Sequence, residues 1–175
     1  HGRLAAVGLA LSNLLAAAGD RVSREYYIND AGRQMRLLGE SVWARYCTLV
    51  GRDTPVPEDG YQGEYIEEVA RGIVGEVGPR YLDAPREEAL AALTATAYQR
   101  LLEEIRVDLD AFGVSFDAWT SERALFASGA VDGVIDRLRS LGYLYEADGA
   151  LWFQASALGD EKDRVVRKKD GEWTY

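Results

Sequence analysis

Residues 26–34 read YYINDAGRQ. Tyr26, Tyr27 and Ile28 favour a strand, Asn29-Asp30 and Gly32 favour a turn, and a helical pattern begins directly afterwards. Strand, turn and helix in that order predict an α/β unit. Asn29 and Asp30 carry two readings. Side-chain oxygens before a helix accept hydrogen bonds from its unpaired N–H groups. The crevice beyond the carboxyl ends of an open parallel sheet is also where such sheets hold ligands. Capping accounts for one polar residue here. It does not account for both, nor for Gln34 one turn later on the same side. We therefore expect a turn that caps the helix and also faces a ligand.

Working outward, Leu4, Val7, Leu11, Leu14, Leu15 and Ala18 recur at helical spacing, and Gly19 supplies a stop. Residues 21–28 read as a strand. Met35, Leu38, Val42, Tyr46 and Leu49 share one face of the next helix. Glycines and prolines make 51–60 a loop. Ile66, Val69, Ile73 and Val77 mark a third helix. Leu90, Leu93, Ala97, Leu101, Ile105 and Leu109 trace a long fourth one. Residues 114–119, VSFDAW, predict a short second strand, and Val131, Val134, Leu138 and Leu141 another helix. The last third changes character: Asp148-Gly149 and Asp170-Gly171 each signal a tight hairpin.

The chain has 175 residues with net charge −9, from 20 basic and 29 acidic side chains. That balance argues against a general nucleic-acid binder, since phosphate contacts need Lys and Arg. Lys162, Arg164, Arg167, Lys168 and Lys169 crowd near the end and read first as a solvated hairpin face. No stretch is apolar for long enough to span a bilayer as a helix. Cys47 is the only cysteine. It fits a reducing, cytoplasmic setting and has no neighbouring histidine to make it a catalytic thiol. No Cys or His grouping has metal-ligand spacing, and no Gly-x-x-x-x-Gly-Lys loop is present.

HGRLAAVG, REYYINDAGRQ, GEYIEEVA, FDAWTSERAL, VIDRLRSLGYLYEADGALWF and GDEKDRVVRKKDGEWTY, in that order, resemble the arginyl-tRNA synthetases. The resemblance implies part of a class I catalytic domain: a Rossmann-like, doubly wound parallel sheet with a small α+β connective insertion. It implies bounds of 1–127 for the partial nucleotide-binding core, 128–168 for the insertion with its hairpins, and 169–175 for the return to the core. It implies ATP-dependent activation of arginine to arginyl-adenylate and transfer to the terminal adenosine of tRNA(Arg), with Mg2+ arriving on ATP. The family's His-x-Gly-His signature is matched by its last histidine only, at His1. Tyr175 resembles a tyrosine that the family follows, four residues on, with a substrate-binding aspartate. The chain is therefore expected to be an inactive fragment when isolated. Leu9 stands where the family often has an acidic residue.

Carried over residue by residue, the resemblance implies that His1, with Gly2 and Arg3 at a helix start, faces the ATP phosphates. Hydrogen-bond donors and a helix N-terminus there would stabilise charge at the reacting phosphorus. It implies that Glu122 and Tyr175 bind arginine. A carboxylate accepts two parallel N–H bonds from a guanidinium, a fork that lysine cannot reproduce. Glu122 is equally at home as an acidic residue in the first turn of a helix. Asn29, Asp30 and Gln34 are candidates for contact with a ligand or the tRNA end. Two alternatives stay open: another class I synthetase, and a non-catalytic α/β interaction module. An incomplete sheet would leave open strand edges and an uncovered apolar face, so the isolated chain is expected to associate.

Overall fold

A computed structural model describes residues 2–174. It divides into two compact units, 1–123 and 124–175.

The first unit holds α1 (Gly2–Ala17), β1 (Glu25–Ile28), α2 (Gly32–Leu49), α3 (Glu64–Val77), α4 (Arg86–Ala111) and β2 (Ala118–Ser121). The division falls just inside α5 (Glu122–Ala127). The apolar stripes read from the sequence on α2, α3 and α4 meet in one core. Leu38, Val42, Tyr46, Ile66, Val69, Ile73, Leu93 and Ala97 are all buried there, with Cys47 and Ala70 among them. Burying such stripes against one another is what makes three adjacent amphipathic helices a stable body. Gly39 allows the closest approach: a Cβ on it would stand 2.0 Å from the Thr94 Oγ1 of α4.

β1 and β2 pair in parallel, Glu25 with Ala118 through Ile28 with Ser121. Parallel neighbours require a long crossover, and α2, α3 and α4 lie between them in sequence. β1 is shorter than the expected 21–28. Pairing starts where a partner starts: the Arg24 carbonyl accepts the N–H groups of Asp117 (2.8 Å) and Ala118 (3.2 Å). β2 is displaced from the expected 114–119. Gly113, with φ +79°, turns the chain out of α4, and the Val114 N–H is still held by the Leu109 carbonyl at 2.8 Å. The ladder with β1 therefore begins at residue 118. Tyr26 and Trp119, facing partners in this register, stack with ring centroids 4.5 Å apart, and the Arg106 guanidinium lies 4.8 Å from the Trp119 ring.

α1 buries none of its residues. Leu4, Val7, Leu11 and Leu14 are 76, 66, 56 and 69% exposed. It ends as expected at Gly19, whose φ of +98° is open to glycine and strained for other residues.

The second unit holds the rest of α5, α6 (Ala130–Ser140), β3 (Leu144–Ala147), β4 (Ala150–Phe153), a 3-10 turn (Ala155–Leu158) and β5 (Arg164–Arg167). The strands form an antiparallel sheet in the order β3-β4-β5. Asp148 and Gly149 both have positive φ, 53° and 75°, as a two-residue hairpin turn of the primed type requires. The second hairpin differs from expectation. Lys168 and Glu172 flank a three-residue connection, with the Gly171 N–H on the Lys168 carbonyl (2.9 Å) and Gly171 alone at positive φ, 86°. The basic cluster is largely tied within its own hairpins. Arg164 bonds Asp160 through Nε and Nη2, both at 2.9 Å, and Lys168 bonds Glu172 at 3.2 Å.

No helix among the described residues is long and apolar enough to cross a membrane.

Candidate functional site

The register of β1 and β2 sets Ile28 beside Ser121. Asn29 and Asp30 therefore leave one strand where Glu122 leaves its neighbour. Two strongly polar exits are brought together beyond the carboxyl edge of a parallel pair, which is the position where α/β sheets hold ligands.

Asp30 does not cap α2. The residue before that helix is Ala31, in extended conformation, and no side chain bonds the helix start. Asp30 turns instead toward β2 and α5. Its Oδ2 accepts the Ser121 hydroxyl at 2.7 Å and the Tyr98 hydroxyl of α4 at 3.0 Å. Its Oδ1 accepts the Arg123 backbone N–H at 2.9 Å. The carboxylate thus caps a helix that begins 92 residues later in the chain rather than the one beside it. Three donors compensate the desolvation of a residue only 3% exposed. Burial alone would raise its pKa. The Arg123 N–H and the two hydroxyls outweigh that and hold it below the ordinary 3.8. Tyr98 responds oppositely: burial, then its bond to the Asp30 carboxylate, push its hydroxyl above the ordinary 10.0.

Glu122 opens α5 and sits in its first turn. Its Oε2 is shielded from solvent and has no hydrogen-bond partner. A shielded carboxylate oxygen without a donor is costly, and such an atom in a native fold calls for a partner. A cationic donor is the partner that suits it, because charge-assisted bonds to a carboxylate are strong and directional.

Gln34 accepts the Tyr61 hydroxyl through Oε1, and Asn29 is exposed. Gly2 and Arg3 open α1, with Arg3 exposed. His1 and Tyr175 lie outside the described residues. Sequence reasoning missed Tyr98 and Arg123 as parts of this arrangement. Only the pairing of β1 with β2 carries the information that residues 30 and 123 meet. Among the described residues, no group of three or more His, Cys, Asp or Glu side chains gathers as a metal site.

No protein-family profile matches the chain. The arginine–tRNA ligase of Geobacillus thermodenitrificans is 50% identical to it over 175 residues, which is all of this chain and 31% of that protein. That of Bacillus subtilis is 46% identical over the same 175 residues, 32% of its length. A crystal structure assigned as an arginyl-tRNA synthetase from Campylobacter jejuni superposes with TM-score 0.87 at 32% identity, covering all of this chain and 38% of that one. The Thermus thermophilus arginyl-tRNA synthetase, at 22% identity and TM-score 0.56, covers 95% of this chain and 29% of its own, and shares the fold. The chain spans about a third of the length of the curated relatives it matches. The resemblance read in the sequence therefore holds along its whole length.

Proposed function

We infer, for a chain homologous throughout to one segment of the arginine–tRNA ligases, that it forms the arginine- and ATP-binding part of such an enzyme. The reaction has two steps. The carboxylate of arginine attacks the α-phosphorus of ATP, a bond to pyrophosphate breaks, and arginyl-adenylate forms. The 3′-terminal adenosine of tRNA(Arg) then takes the arginyl group and AMP leaves.

Glu122 is the residue that selects arginine in this reading, and the single observation carrying it is the solvent-shielded, partnerless Oε2 at the start of α5. A guanidinium presents two parallel N–H donors to such a group, and lysine has no such fork. By the family resemblance, Tyr175 is a second arginine-binding residue. His1, Gly2 and Arg3 face the ATP phosphates, where donors and the α1 N-terminus stabilise charge built up on the phosphoryl centre. Asn29 and Gln34 face the substrate or the tRNA end. Mg2+ enters with ATP. β1 and β2 belong to a Rossmann-like, doubly wound parallel sheet. The catalytic core takes 1–127 and 169–175, with 128–168 as a connective insertion. The setting is the cytoplasm, and the 175-residue chain alone is inactive.

ATP–pyrophosphate exchange in a full-length ligase carrying this segment tests the reading. Glu122→Ala raises the KM for arginine by about a hundredfold or abolishes exchange, as expected for removing a charge-assisted double bond. Unchanged exchange would falsify the assignment of the pocket. Aminoacylation by the isolated chain would overturn its description as a part.

A further inference from the structure

Glu122 is flanked by two residues that bond the same carboxylate. Ser121 before it donates its hydroxyl to Asp30 at 2.7 Å, and Arg123 after it donates its backbone N–H at 2.9 Å. Asp30 is itself held from α4 by the Tyr98 hydroxyl at 3.0 Å. The Glu122 Oε2 has no hydrogen bond that would fix it, so the position of the backbone on which it stands matters the more. That backbone is pinned on both sides by one buried group. A bidentate carboxylate–guanidinium pair tolerates only about 0.5 Å of misplacement before its two bonds cease to be parallel and linear.

We propose that Asp30 is a positioning residue for arginine selection: by holding Ser121 and Arg123, it sets the Glu122 carboxylate where a guanidinium can meet it. Asp30 is only 3% exposed and accepts three of the chain's own donors, so it acts through Glu122 rather than by touching the substrate. Tyr98 acts one step further out by orienting the Asp30 carboxylate. This rests on the reading of Glu122 as the guanidinium acceptor.

The test is steady-state ATP–pyrophosphate exchange in a full-length ligase carrying this segment, with arginine and ATP varied separately. Asp30→Asn keeps the size of the side chain, loses its charge and turns an amide nitrogen toward the donors. It raises the KM for arginine by about tenfold or more, with the KM for ATP within about twofold of wild type. Tyr98→Phe deletes one bond to Asp30 and leaves Ser121 and Arg123 in place. It raises the KM for arginine by about threefold with the KM for ATP unmoved, and decides the matter should Asp30→Asn not fold. In a Glu122→Gln background, Asp30→Asn adds less than about twofold to the KM for arginine, because there is no longer a charged acceptor to position. A wild-type arginine KM in a folded Asp30→Asn enzyme or in Tyr98→Phe overturns the proposal. So does a rise of both KM values together, or full additivity with Glu122→Gln. If Glu122→Gln alone leaves the KM for arginine unchanged, the Glu122 reading is what falls.

Discussion

Tyr98 donates its hydroxyl to Asp30 across 68 residues of chain, at 3.0 Å. That bond ties the helical body to the exit of β1. It needs an ionised carboxylate and a protonated phenol at once. Asp30 has its pKa held below 3.8, and Tyr98 has its pushed above 10.0. A carboxyl group with a depressed native pKa contributes stability that is present above its unfolded value and is lost as pH falls through the native one. A phenol with a raised native pKa contributes stability that is present below its unfolded value and is lost as pH rises through the native one. The bond is therefore intact between about pH 4 and pH 10. Tyr98→Phe costs about 1.5–3 kcal/mol at neutral pH, the range for a hydrogen bond to a charged group. Urea titrations of the two proteins at pH 7 and at pH 3 check this. The difference shrinks at the lower pH, and a difference independent of pH would contradict it.

Tyr46 predicts a second loss of similar size. Its side chain is fully buried. Its hydroxyl donates to the Gly78 carbonyl at 2.6 Å and accepts the Tyr81 N–H at 3.0 Å. Tyr46→Phe leaves both backbone groups without that partner, for about 1–3 kcal/mol. The loss is read as a lower urea midpoint with an unchanged slope. A midpoint equal to wild type would mean that water replaces the hydroxyl.

The helices were legible and the site was only half so. The stripes on α2, α3 and α4 could be read because each repeats at helical spacing over three or more turns, and their central residues are buried, while Ile105 near the end of the α4 stripe stays exposed. The Asp148-Gly149 turn could be read because few residue pairs accept positive φ twice. The turn at Asn29-Asp30 was expected to cap α2 as well as face a ligand, and no side chain bonds that helix start. Asp30 stands one residue before the N-cap position and is held instead by three donors, Ser121 and Arg123 at the β2–α5 junction and Tyr98 on α4. Two of those lie more than 90 residues away in sequence, and nothing in residues 26–34 points there. The same limit hid Tyr98, one of several residues on a helix whose periodicity shows only which face is apolar.

Gly39 is a packing residue, and its substitution has a specific rescue. A Cβ there meets the Thr94 Oγ1 at 2.0 Å and the Thr94 Cβ at 3.3 Å. Thr94 cannot swing away without losing its own bond to the Leu90 carbonyl, 2.6 Å long. Gly39→Ala therefore forces α2 and α4 apart and costs about 1–3 kcal/mol as an overpacked contact. The double substitution Gly39→Ala/Thr94→Ala recovers most of that loss in a thermal melt. Two additive losses would show that the contact is not the cause.

Cys47 reports on the opening of this core. It is fully buried, and burial raises its thiol above the ordinary 9.0 against the weaker pull of Thr54 and Arg52. The thiolate is the reactive form. Labelling with a disulfide reagent in native buffer is therefore slow and accelerates sharply once urea reaches the unfolding transition. Stoichiometric labelling of the native chain within the mixing time would show that α2 opens locally.

The exposed stripe of α1 carries the last prediction. Leu4, Val7, Leu11 and Leu14 present contiguous apolar surface, each more than half exposed, on a helix that buries nothing. Each such side chain gains about 1.5–3 kcal/mol when removed from water. A surface of that kind on an isolated chain closes against another copy. Light scattering of the 175-residue chain then shows association that grows with concentration. Leu11→Lys with Leu14→Lys places two charges of one sign on the stripe, where pairing would bring like charges together and bury them at high cost. That variant scatters as a monomer with the helical signal of the remaining helices retained. A wild-type chain that stays monomeric at high concentration would mean that the stripe is covered by some other part of the same molecule.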